Sequence, residues 1–124
     1  MVLHITHREA WEASLSGGYY RPASLDSEGF IHCSTIDQAI DTANGFFRGE
    51  KGLVLLCIDE KKIDAELRYE PPAGGAVKDS RVYDLFPHLY GPLNVSAVVG
   101  VAKLAPDAEG KFIMPVEIGK LIQD

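Results

Sequence analysis

Cysteine is scarce in this chain: Cys33 and Cys57 are the only two among 124 residues. They form no C-x-x-C or comparable metal spacing. Each sits in an apolar stretch, Phe30-Ile31-His32-Cys33 and Leu55-Leu56-Cys57-Ile58, and reads as a reduced core thiol. Long hydrophobic runs are also missing. The longest, Leu53 to Ile58, has six residues, whereas a helix needs about 20 to span a bilayer, so no membrane span is expected. The N-terminus, Met1-Val2-Leu3-His4, lacks the charged-then-apolar layout of a secretory signal, which makes a reducing cytoplasm the expected location. Positive charge is in deficit, with 12 basic against 18 acidic residues and a net charge of −6. Nucleic acid is therefore not an expected partner, because its binding draws on Lys and Arg neutralising phosphates. No Walker loop, G-x-G-x-x-G or G-x-S-x-G is present, so nothing points to phosphate binding through a Gly-rich helix start.

What is present suits one domain over residues 1–124 with its own core, since apolar residues make up 46% of the chain. Val2 to Thr6 reads as a short strand. Thr6-His7-Arg8-Glu9 fits a capping box and predicts a helix over about 7–15, burying Ala10, Trp11 and Leu15 and ending at Gly17-Gly18. Tyr19 to Glu28 is polar and turn-rich and reads as a loop; Phe30 to Cys33 reads as a strand. Thr35-Ile36-Asp37-Gln38 is a second capping box. Behind it Ile36, Ala39, Ile40, Ala43, Phe46 and Phe47 recur on one helical face. The unbroken apolar Leu53–Ile58 predicts a buried strand. Leu67–Glu70 predicts another, Ala73–Ala76 a mobile turn, and Val82–Leu85 a short strand. Phe86-Pro87-His88-Leu89-Tyr90-Gly91-Pro92 holds too much Pro and Gly to predict regular structure. Val95–Leu104 predicts a long strand with Gly100 as a bulge, and Phe112–Met114 a strand pairing back as a hairpin. The sum is an α+β fold with a mixed, mostly antiparallel sheet of six or seven strands and two main helices.

The candidate chemistry lies in the histidines. Strand alternation sends Leu3 and Ile5 to one face and His4 to the other; it does the same for Ile31 and Cys33 against His32. Each ring thus opposes its strand's core face, and each is followed two residues later by a hydroxyl, Thr6 or Ser34. His4 and His32 are expected on adjacent strands with both rings in one cleft, joined by His88 or Tyr90 from the Pro-stiffened loop. His7, in a first helical turn, reads as a surface residue. A metal would need three convergent ligands, such as His4, His32 and His88 with Glu70, but no short spacing like H-x-x-x-H supports one, and no metal is assigned. Arg21, Arg68 and Arg81 are candidate anion clamps. Tyr19, Tyr20, Tyr90 and Phe86 could line a slot for a planar ring.

These residues carry a resemblance. Leu3-His4-Ile5-Thr6, Trp11, Tyr19, Ser24-Leu25, Glu28-Gly29-Phe30-Ile31-His32-Cys33-Ser34-Thr35, Gln38, Ala43-Asn44, Phe47, Arg68-Tyr69-Glu70 and Phe86 to Leu93 resemble a family of small bacterial and plant proteins known as domain of unknown function 952. The resemblance runs from about residue 3 to residue 101. It implies a fold similar to that of ADP-ribosyltransferases and RNA 2′-phosphotransferases, and makes NAD a candidate cofactor while leaving the cofactor itself unassigned. His4-Ile5-Thr6 resembles the His-Gly-Thr of the phosphotransferases, and His32-Cys33-Ser34 their His-Leu-Ser. The implied role of His4 is to bind the nicotinamide-side ribose, with Thr6 beside it and His32 as the second position. The sequence departs from the pattern in two ways. Ile5 stands where a Gly lets the backbone approach nicotinamide. The catalytic Glu of protein-modifying members has only Glu70 as a counterpart, with His88 and Tyr90 as substitutes. Three functions stay open: a nucleotide-binding, ADP-ribosyl- or phosphotransferase-like enzyme; a non-catalytic module that binds a nucleotide or small molecule; and a structural partner domain. The expected site comprises His4, His32, His88 and Glu70 for chemistry, and Thr6, Tyr19, Arg21, Ser34, Arg68 and Tyr90 for ligand.

Overall fold

The computed structural model describes residues 1–72 and 85–122. The expected turn at Ala73–Ala76, the expected strand from Val82 and the clamp candidate Arg81 lie outside them. The elements run β1 (Val2–His7), α1 (Arg8–Ser14), β2 (Tyr19–Tyr20), α2 (Ser24–Ser27), β3 (Ile31–His32), α3 (Ile36–Phe46), β4 (Leu53–Ile58), β5 (Glu66–Glu70), β6 (Phe86–Tyr90), β7 (Leu93–Asn94), β8 (Val98–Leu104) and α4 (Val116–Ile122). The fold is α+β and its pairings are antiparallel. The strands form three small sheets, β1-β4-β8, β2-β7 and β3-β6-β5, instead of one.

β4 is the middle strand of the first sheet, and all six of its residues are buried. Its unbroken apolar run follows from cover on both faces. On one side Leu3, Ile5, Leu53, Leu55 and Cys57 pack with Ala39 and Ala43 of α3, Phe112, and Ile118 of α4. On the other, Val2, Val54, Leu56 and Ile58 pack with Trp11, Tyr20, Leu25 and the Ile31/Leu89 face of the third sheet. That sheet therefore turns its other face, bearing His32, His88 and Arg68 in cross-strand register, away from this core.

The capping box of α3 forms as expected: the Thr35 side chain takes the N3 backbone, and its own N–H donates to Gln38 Oε1 at 3.0 Å. Ile36, Ala39, Ile40, Ala43 and Phe47 face the core, but Phe46 is 81% exposed. Because Phe47 is only partly buried, Phe47→Ala should cost about 2 kcal/mol, below the ~3–5 of a fully buried Phe; an unchanged chemical-denaturation midpoint would contradict this packing.

Several expectations need correction. Thr6 does not cap α1: β1 runs on through His7, which is the N-cap residue with no side-chain bond, and the Thr6 hydroxyl is held by Tyr20. On α1 only Trp11 is buried, while Ala10 and Leu15 are exposed. The stretch Tyr19–Glu28 contains β2 and α2. Phe86–Tyr90 is a strand and the middle one of its sheet. Pro87 fits because its carbonyl points toward β3, accepting from the Cys33 N–H at 3.0 Å. In an antiparallel strand a residue's N–H shares the side of its carbonyl, so the missing donor falls where β3 has already ended. Phe112–Met114 is not a strand, and α4 follows where no helix was expected. The bulge at Gly100 is real: Cys57 pairs Gly100 while Ile58 pairs Val98.

Candidate functional site

A cleft of about 560 Å³ opens where the first and third sheets part. The two sheets meet through one bridge, Leu3 to Ser34, with N–H···O distances of 2.8 Å in both directions. Beyond it β1 stays with β4 and β3 with β6. Thr42 and Phe46 of the C-terminal half of α3, with its C-cap Phe47, supply one wall; His32, Phe86 and His88 supply the other. His4, Ile5, Cys33 and Ser34 lie between, with Glu28 and Pro72 completing the lining.

His4 is buried in the gap between the sheets. Its Nδ1 lies 2.6 Å from the His32 carbonyl and its Nε2 2.8 Å from the Tyr20 hydroxyl. A carbonyl only accepts, so Nδ1 carries the proton. Burial pushes this imidazole down to about 4, so at neutral pH Nε2 is an acceptor and Tyr20 donates to it. The Tyr20 oxygen then takes a hydrogen bond from Thr6 Oγ1, 2.9 Å away. This single ring ties β1, β2 and β3, one strand from each sheet.

His32 and His88 form a cross-strand pair, their rings 5.9 Å apart and nearly perpendicular. Each has a carboxylate partner. His88 Nδ1–H donates to Glu70 Oε1 at 2.8 Å, and Tyr90 donates to the same oxygen at 2.6 Å. Those two bonds, Tyr90's first, hold the Glu70 carboxyl below its usual range, and the same contact raises the Tyr90 phenol. His32 Nε2–H donates to Glu28 Oε2 at 2.8 Å. The second nitrogens, Nε2 of His88 and Nδ1 of His32, have no partner among the described residues, and no described buried side-chain N or O atom is left unsatisfied. His88 is 3% exposed and lines the cleft. Phe30 stacks on His88 with centroids 4.1 Å apart and fixes the ring plane. Cys33 is no nucleophile, because burial pushes its thiol up to about 12.

Of the sequence-derived candidates, the cleft thus brings together His4, His32, Ser34 and His88, with Glu70 and Tyr90 behind His88. Arg68 stacks on the Tyr90 ring at 4.3 Å and pairs with Glu66, outside the cleft lining. Thr6 lies behind Tyr20. Tyr19 and Arg21 are exposed and turn to Asp64 and Asp26 respectively. His7 is exposed, as expected, against Glu50. Glu28, Phe30, Thr42, Phe46, Phe47 and Pro72 were not among the candidates. Only Glu28 left a signal: it stands four residues before His32, across Gly29, whose φ of +88° favours the glycine. Among the described residues no three His, Cys, Asp or Glu side chains converge as metal ligands, and no helix is long and apolar enough to cross a membrane.

The sequence profile described as Protein of unknown function (DUF952) matches residues 5–101. The crystal structure of protein CC0527 from Caulobacter crescentus is similar at 34% identity, covering 99% of this chain and 98% of that one, with a TM-score of 0.77. A double-methionine variant of that protein gives the same values. Its solution structure matches at 37% identity over 89% of both chains, with a TM-score of 0.72. No curated protein matches.

Proposed function

The chain belongs to the family described as Protein of unknown function (DUF952), and for it we propose a cleft that binds a nucleotide- or nucleoside-type small molecule, with the ligand's planar ring against Phe46, Phe47 and Phe86. The observation that carries this reading is one cleft that joins aromatic walls to two histidines, each held by a carboxylate. Concave apolar sites with a few convergent polar groups are where small ligands bind. The resemblance of His4-Ile5-Thr6 and His32-Cys33-Ser34 to the strings of RNA 2′-phosphotransferases makes the nicotinamide-ribose end of NAD a natural candidate. His4 contributes as a fixed wall, its two nitrogens being held by protein. His88 contacts the ligand through Nε2, and Ser34 and Thr42 offer hydroxyls. Two free buried cysteines suit a reducing cytoplasm.

Thermal shift against NAD, nicotinamide mononucleotide, nicotinamide riboside and adenosine tests the site. At least one should stabilise the wild type. His88→Ala should weaken that ligand about tenfold, the worth of one good hydrogen bond. A panel that leaves the wild type unmoved, or a shift that survives His88→Ala and Glu70→Gln intact, defeats the reading. Binding without turnover marks a non-catalytic module.

A further inference from the structure

The two histidine–carboxylate pairs differ in a way that assigns them different tasks. His88 is buried: Phe30 covers one face, Glu70 holds Nδ1–H, and the ring lines the cleft, with Nε2 the nitrogen not held by a described residue. His32 is half-exposed, with Nε2–H on Glu28 and Nδ1 open, so it can exchange protons with bulk water. Among the described residues, the charged and titratable groups around the two rings are His4 of β1, Glu28 before β3, Glu70 and Arg68 of β5, and Tyr90 of β6. Lys and Arg are absent from the described lining, which includes the Glu28 carboxylate.

Resting on the reading of the cleft as a nucleoside-type site, we propose that it hydrolyses the N-glycosidic bond of a nucleoside, with His88 as general base and His32 as general acid. His88 Nε2 takes a proton from water, whose oxygen bonds to the anomeric carbon. The carbon–nitrogen bond breaks and its electron pair goes to the base, which takes a proton from Nδ1 of a His32 imidazolium, leaving that ring neutral with its remaining proton on Nε2 toward Glu28. His88 then returns its proton to solvent, and His32 regains one. Glu70 and Glu28 hold the tautomers that leave those two nitrogens to act. The acid is the discriminating feature. A nicotinamide leaving group already carries positive charge in the substrate and departs neutral unaided. The base of a neutral nucleoside departs as an anion unless it is protonated.

The test measures base release from inosine, adenosine, uridine and nicotinamide riboside by wild type, His32→Gln, His88→Gln and Glu70→Gln, with binding followed in parallel by thermal shift. Release from at least one neutral nucleoside is expected. His88→Gln and Glu70→Gln should slow it by about 10²-fold or more. His32→Gln should cost at least tenfold more on that neutral nucleoside than on nicotinamide riboside. If a nucleoside binds and no base is released, or if His32→Gln slows all substrates equally, the hydrolytic assignment is overturned while the binding site stands. If none of the compounds binds or reacts, both readings fall.

Discussion

Phe112→Ala is expected to cost about 3–5 kcal/mol, the usual figure for truncating a fully buried Phe. Phe112 is among the largest fully buried side chains, at 2% exposure, in the cluster that joins α3 and α4 to the first sheet. It stands in a segment with no ladder of its own, so something else must hold it. Asn44 does so: its Oδ1 accepts from the Phe112 N–H at 2.8 Å and its Nδ2 donates to the Phe112 carbonyl at 3.2 Å. Asn44→Ala should therefore cost a further, separately measurable ~1–3 kcal/mol, because two backbone groups lose their partner in a part-buried place. Chemical denaturation of both variants checks this. A Phe112→Ala midpoint equal to the wild type would mean that the segment does not seal the core.

Acid should weaken the wild type more than a chain without His4. The folded imidazole is pushed by burial down to about 4 from its ordinary 6.5. Between those values the unfolded chain binds the extra proton, so stability rises with pH across the window. The contribution is complete above about 6.5 and is lost as pH falls toward 4. A shift of that size corresponds to about 3 kcal/mol. Carboxyls held low in the folded state, such as Glu70 and Asp107, lose their contribution at still lower pH, in both chains. Unfolding free energies of wild type and His4→Gln from pH 7 to pH 4 separate the two effects. Parallel curves would show that His4 is not desolvated.

How much of this was legible in the sequence depended on the range of the interactions. Residues 36–47 were readable because their cap and periodicity are local. That His4 and His32 turn opposite to their apolar strand neighbours was readable too, since alternation along a strand needs no knowledge of its partner, but the burial of both faces of β1 was not. Where the rings end up was not. His4 and His32 share the cleft, but their strands lie in separate sheets joined by one bridge. The pairing of His88 with His32 is a matter of register across 56 positions of sequence. Local Pro and Gly penalties hid the strand at Phe86–Tyr90, because whether Pro87 harms a ladder depends on what lies opposite its nitrogen. The Phe112 segment was read as a strand because the side chain that replaces its ladder is 68 residues away. The polar partner Glu28 was readable only once a turn at Gly29 brought it back to His32.

The same few residues that open the cleft also govern how it can move. At Cys33 the backbone N–H belongs to β6, through Pro87, and at Ser34 both backbone groups belong to β1, through Leu3. The chain changes allegiance between two consecutive residues. The walls of the cleft are thus covalently continuous, and widening it amounts to a rotation about the Cys33–Ser34 peptide and a stretch of the Leu3–Ser34 pair. Both bonds of that pair, together with the His4 contact to the His32 carbonyl, act as the springs of this hinge. Amide hydrogen exchange at Leu3 and Ser34 therefore reports the opening of the cleft, and a ligand bridging its walls should slow both amides together.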